Sequence, residues 1–120
     1  MPTTVLIVDD HAGFRGFARR LLEEGGYTVV GEAHDGASAL EAAEALRPEL
    51  VLLDVFLPDT DGFAVASTLA ERDNGALVVL TSSREAEDFG ARLERSRARG
   101  FIHKDDLSRA AVERIAGAAG

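Results

Sequence analysis

The stretch VLIVDDH, Val5 to His11, sets four apolar residues directly before two adjacent carboxylates, Asp9 and Asp10. A short aliphatic run of this kind, rich in β-branched residues, suits a strand buried on both faces of a sheet. The stretch VLLDVFLPD, Val51 to Asp59, repeats the pattern, with Asp54 directly after its apolar residues. Further runs lie at Tyr27–Val30, Ala76–Leu80 and Phe101–Ile102, and the third run begins at Leu50.

Working outward, the segments between the runs have helical character. RGFARRLLEEGG continues a helical spacing of Phe14, Phe17, Leu21 and Leu22 and stops at Gly25–Gly26. DGASALEAAEALRP opens at Asp35–Gly36 and stops before Pro48. DGFAVASTLAERDNG starts at Asp61–Gly62 and ends at Asn74–Gly75, REAEDFGARLERSRARG is the most polar of the set, and LSRAAVERIAGAAG closes the chain. The alternation is β-α five times over, which predicts an α/β fold: a five-stranded parallel sheet with helices on both faces. Right-handed crossovers leave few topologies, and the expected strand order is 2-1-3-4-5 rather than 3-2-1-4-5.

The chain has 120 residues, enough for a single domain over 1–120 with one core and no output domain. Cysteine is absent, which excludes a disulfide framework and thiolate metal sites. No apolar run is long enough to span a bilayer, and no leader pattern opens the chain, so a soluble cytoplasmic protein is expected. The net charge of −8 argues against direct nucleic-acid binding by this domain.

In a parallel sheet of this kind, sites form at the carboxyl ends of the strands. Those ends carry Asp9, Asp10 and His11, then His34, then Asp54, then Thr81, Ser82 and Ser83, then His103 and Lys104. Strands one and three should be neighbours at the switch point, which brings Asp9, Asp10 and Asp54 into one crevice. At about 4 Å each carboxylate pair repels by roughly 1 to 4 kcal/mol. Either one group holds a proton or a cation sits among them. Oxygen ligands favour a hard ion such as Mg²⁺. With the Lys104 ammonium and the Thr81 hydroxyl added, the crevice suits the oxygens of a phosphoryl group bound for one carboxylate.

These residues resemble the response-regulator receiver domains of two-component signalling, flavodoxin-like (βα)5 proteins. The motifs are VDD after the first run, LLDVFLPDTDG around Asp54, LTSS at Thr81 and GFIHK ending in Lys104, with Pro58 four residues and Gly62 eight residues after Asp54. VDDH and GFIHKDDLS are similar to receivers that precede LuxR-type helix-turn-helix output domains. The resemblance implies that Asp54 is the phosphoacceptor, supplied by a sensor histidine kinase, a phosphotransfer protein or a small acyl phosphate. It implies Mg²⁺ held by Asp10, Asp54 and the Phe56 carbonyl, with Asp9 acting through a bound water. Lys104 and Thr81 would each meet a phosphoryl oxygen. Phe101 would turn inward as Thr81 moves and relay the change to the helix 4, strand 5 and helix 5 face. The family also allows a C-terminal DNA-binding domain in a full-length protein and a homodimer formed on phosphorylation. Such a domain catalyses only its own phosphorylation and dephosphorylation. Asp105 stands where receivers often carry proline after the lysine, so the Lys104–Asp105 peptide is expected to be trans.

Taken singly, each residue has an ordinary reading. Asp9 and Asp10 suit a helix start, Asp54 a turn, Thr81 a strand-end cap, Lys104 a solvated surface, and Phe101 the core as readily as a switch. His11, His34 and His103 lack a metal-ligand spacing and are not read as catalytic. The five arginines from Arg84 to Arg99 read as a solvated helix face balanced by acidic residues, or as a helix that shifts towards a partner. Phe56 stands where a phosphatase of the haloacid-dehalogenase type wants an acidic residue, and DDHAGF has the wrong charge for a cofactor phosphate loop. A receiver-like interaction module that needs no phosphorylation stays open as the alternative.

Overall fold

Both faces of every central strand are covered, which is why the aliphatic runs lack alternation. The computed structural model describes residues 3–72 and 75–117; Asn74, read as part of a helix stop, lies outside them. Strands β1 (Thr4–Val8), β2 (Thr28–Ala33), β3 (Leu50–Asp54), β4 (Leu77–Ser82) and β5 (Gly100–His103) form one parallel sheet in the order β2-β1-β3-β4-β5. The expected topology is the observed one. Successive side chains leave a strand on opposite faces. Leu6, Val8, Val51 and Leu53 enter a core shared with α2 (Gly36–Leu46) and α3 (Gly62–Arg72). Val5, Ile7, Leu50 and Leu52 enter a second core with α1 (Ala12–Glu24) and α5 (Arg109–Ala116). β2 runs on through Gly31 and Glu32 to Ala33, because pairing with β1 satisfies its backbone whatever the side chains are.

Helix starts follow local chemistry. Asp35 and Ser38 form a reciprocal capping box at α2. The same helix end is held from a distance: the Asp59 carboxylate accepts from the N–H groups of Gly36 at 2.8 Å and Ala37 at 3.0 Å. Asp61 accepts from Ala64 N–H at 2.9 Å at the start of α3. Ser108 does the same for Ala111 at 3.0 Å before α5.

The fourth polar segment departs from the continuous helix expected of it. A 3₁₀ turn, Ala86–Phe89, gives way to Gly90 at φ 55°, and α4 (Ala91–Arg95) is five residues long. A positive φ interrupts the helical hydrogen-bond ladder and is accessible to glycine. The break turns Phe89 inward, where its ring centroid lies 5.7 to 5.8 Å from those of Phe56, Phe63 and Phe101. Arg84 and Arg92 stay exposed, as a solvated face requires, and also lie over this cluster, Arg84 over Phe56 and Arg92 over Phe63. No helix among the described residues is long and apolar enough to cross a membrane. No cis peptide occurs among them, so Lys104–Asp105 is trans as expected.

Gly62 marks where α3 passes closest to the sheet. A Cβ on it would lie 2.6 Å from the Asp54 carbonyl oxygen and 3.0 Å from Val55 Cα, and backbone cannot swing aside as a side chain can. Gly62→Ala is expected to lower the urea-unfolding free energy by roughly 1 to 3 kcal/mol. Gly13→Ala, in α1 where a Cβ meets nothing within 4 Å, should leave stability unchanged or raise it by up to about 1 kcal/mol.

Candidate functional site

Four strand ends converge. Asp9 follows β1, Asp54 ends β3, Thr81 pairs in register with Asp54 across β3 and β4, and Lys104 follows β5. Parallel pairing puts all of these ends on one edge of the sheet. Asp9 and Asp54 are almost fully buried, whereas Asp10 is exposed at the rim. Oxygens of Asp9, Asp10 and Asp54 and a ring nitrogen of His11 all lie within 4.8 Å of one another. The Lys104 ammonium lies 2.6 Å from Asp9 Oδ2 and 3.4 Å from Asp54 Oδ2, with the Phe14 ring 4.5 Å beneath it. A cleft of about 240 Å³ opens over Asp54, lined also by Asp10, Phe56, Pro58, Ser83 and Lys104.

One ammonium does not neutralise two buried carboxylates. Burial pushes the Asp54 carboxyl up to about 6, and the Asp9 carboxylate pushes it the same way. The Lys104 ammonium and the Phe56 N–H, 3.3 Å from Asp54 Oδ1, pull it back. Beside Asp54, the Thr81 hydroxyl oxygen is buried and has no hydrogen-bond partner among the described residues. An orphaned buried hydroxyl costs about 1 to 3 kcal/mol, so a polar group that enters the crevice gains a ready partner. The donor set is rich in carboxylate oxygen and matches a hard divalent cation.

Each expected site residue can be placed. Asp9, Asp10, Asp54, Thr81 and Lys104 converge on this edge. Phe56 stands at the mouth with its ring half exposed. Phe101 lies deeper, half-buried against Phe89. His11 was passed over by the sequence reading, yet its Nδ1 lies 3.1 Å from both Asp9 Oδ1 and Asp10 Oδ1. Its adjacency to Asp9 and Asp10 was the available signal. Phe89 was also missed, because a lone phenylalanine in a polar segment does not announce a core position.

A family model for the response regulator receiver domain matches residues 5–116, and the chain belongs to this family. The nitrate/nitrite response regulator protein NarL of Escherichia coli is 37% identical over 97% of this chain and 56% of its own length. A two-component response regulator of the LuxR family from Aurantimonas superposes with a TM-score of 0.87 at 27% identity, over 98% of this chain and 87% of that one. The CheX–CheY–BeF3–Mg complex from Borrelia burgdorferi gives a TM-score of 0.86 at 27% identity, over 99% of this chain and 90% of that one. The chain is therefore a two-component signal-transduction receiver, a phosphoacceptor type of module rather than a true enzyme, similar to NarL/LuxR-family regulators. It spans about half the length of the curated relatives it matches.

The raised Asp54 carboxyl makes stability depend on pH. A carboxyl that ionises less readily in the fold than in the unfolded chain favours the fold most at low pH. That contribution is lost as pH rises from about 4 through about 6. In metal-free buffer at pH 8, Asp54→Asn is expected to be more stable than wild type by about 2 to 3 kcal/mol, shrinking towards zero near pH 4. Urea unfolding across this range is the measurement. A difference that stays flat would mean that Asp54 ionises as freely as in solution.

Proposed function

We propose that this receiver is a phosphorylation-controlled signalling switch with Asp54 as its phosphoacceptor. The observation that carries the reading is the pairing of Asp54, buried and in reach of the Lys104 ammonium, with the unpartnered hydroxyl of Thr81 next to it. An Asp54 carboxylate oxygen attacks phosphorus and forms the acyl phosphate. The phosphorus–nitrogen bond of a phosphohistidine, or the phosphorus–oxygen bond of a small acyl phosphate, breaks, and its electron pair leaves with the imidazole or carboxylate. Lys104 holds one phosphoryl oxygen and Thr81 donates to another. Asp10, Asp54 and the Phe56 carbonyl are the residues that would hold Mg²⁺, with Asp9 acting through water. The bound ion would neutralise charge on the phosphoryl oxygens.

The change passes through Thr81 and Phe101 to the face of α4, β5 and α5. On that face a cleft of about 450 Å³ is lined by Glu85, Phe101, His103 and Arg114, among others. The donor is a sensor histidine kinase or phosphotransfer protein in the cytoplasm. Residues 1–120 form a single receiver domain of a longer regulator whose output is a C-terminal DNA-binding domain, and phosphorylation brings two copies together. The length of the relatives supports the longer protein, and the likeness to LuxR-family regulators supports the output.

Treatment with acetyl phosphate and Mg²⁺ should add the mass of one phosphoryl group to wild type and none to Asp54→Asn. An undiminished gain in the mutant would place the acceptor elsewhere. Mg²⁺ alone should raise the melting temperature through linkage, an effect worth about 2.7 kcal/mol at a hundredfold excess over Kd. Asp10→Asn should lose most of that rise; a response equal to wild type would place the metal at other ligands.

A further inference from the structure

We propose that His103 is a positioning residue for Lys104, acting as a neutral imidazole clamp between the turn that carries Lys104 and the segment that follows β4, the strand of Thr81. The proposal rests on the phosphoacceptor reading for its consequence, not for its geometry. His103 ends β5 and directly precedes Lys104, and its side chain is only 13% exposed. Its Nδ1 accepts from the Asp105 N–H at 3.1 Å and so caps the 3₁₀ turn Lys104–Asp106. Its Nε2 lies 2.9 Å from the carbonyl oxygen of Ser83, two residues beyond Thr81.

These two partners assign one tautomer. A nitrogen that accepts cannot carry the proton, so the proton sits on Nε2 and is donated to Ser83. Both ring nitrogens are then satisfied by a single neutral form. Among the described residues, the carboxylates within 4 Å of the ring nitrogens are Glu85 Oε1, 3.6 Å from Nε2, and Asp105 Oδ2, 3.8 Å from Nδ1.

The clamp answers a local problem. A residue other than proline after Lys104 brings a backbone N–H into the first turn, where no intrahelical acceptor exists. Left uncapped, that turn would let the Lys104 backbone drift. Lysine has a four-carbon flexible stem, so its ammonium stays 2.6 Å from Asp9 and 3.4 Å from Asp54 only if the stem starts from a fixed point. The Ser83 bond adds the second anchor, which ties this turn to the loop after Thr81.

The first test is on wild type: the nitrogen-15 spectrum of the His103 imidazole should show the proton on Nε2, and a proton on Nδ1 overturns the clamp. The second compares two variants. His103→Leu keeps bulk without an acceptor; Asp54 labelling by acetyl phosphate at saturating Mg²⁺ should slow roughly tenfold, since small misplacements of a positioned group are amplified in rate. The NMR signal of the Lys104 ammonium, sharp only when the group is held, should broaden. His103→Asn has a side-chain oxygen suited to the N–H two residues on, and should restore the ammonium signal and a rate within about twofold of wild type. A His103→Leu protein that matches wild type in both readouts refutes the proposal, and so does a His103→Asn protein as defective as His103→Leu. Should His103→Leu not fold, His103→Gln replaces it, its oxygen set one carbon too far for the turn. If wild type itself takes no label, the phosphoacceptor reading fails, and the ammonium signal still decides the role of His103.

Discussion

The Lys104 ammonium set against Asp9 and Asp54 is the interaction on which the rest of the molecule turns. It joins the end of β5 to the ends of β1 and β3, crossing the full width of β4. The sheet exists to make that meeting reproducible. Its two central strands are buried on both faces, so the charged groups at their ends have nowhere else to go. Removing charges from water costs several kcal/mol each unless they are paired. Here one cation serves two buried anions, and a third carboxylate waits at the rim.

That imbalance is chemically useful. A fully compensated carboxylate is a settled one, whereas Asp54 sits with its carboxyl pushed up to about 6 by burial and by Asp9. Anything that brings positive charge to Asp10 and Asp54, or converts Asp54 to an ester-like group that Lys104 and Thr81 can hold, relieves the strain. The orphaned hydroxyl of Thr81 is the second half of the same design. Sites that perform chemistry are where local stability rules are expected to be broken.

The segment after β4 shows how a polar stretch can be loosely specified yet packed. Its side chains are mostly polar, and it includes Gly90 at positive φ. What holds it is Phe89, which meets Phe56 at the mouth of the site, Phe63 on α3 and Phe101 on β5. A residue two beyond the Asp54 carboxylate therefore touches the same ring as the aromatic of β5. Aromatic pairs of this kind contribute about 0.5 to 1.5 kcal/mol each beyond burial. Leu93, within the short helix that follows, packs against the same core.

How far the sequence alone reached depends on the length scale of each interaction. Strand and helix identity were legible because they follow from periodicity and turn residues among near neighbours along the chain, and the parallel order because right-handed crossovers leave few topologies open. Asp9, Asp10, Asp54, Thr81 and Lys104 were legible because strand ends in such a sheet share one edge. The break at Gly90 was not legible: glycine in a polar helix-like segment is ordinary until a buried ring beside it decides the backbone. His103 and His11 were set aside for the same reason, since neither has a local motif. Their meaning comes from Ser83 and Asp105 in one case and from the Asp9–Asp10 pair turning back in the other. The sequence by itself determined the five strands, the helices other than the fourth, and which edge bears the charge. Tertiary structure decided which carboxylate is buried, which is exposed, and which side chains hold the lysine, because burial and hydrogen-bond partnership exist only once distant strands lie side by side.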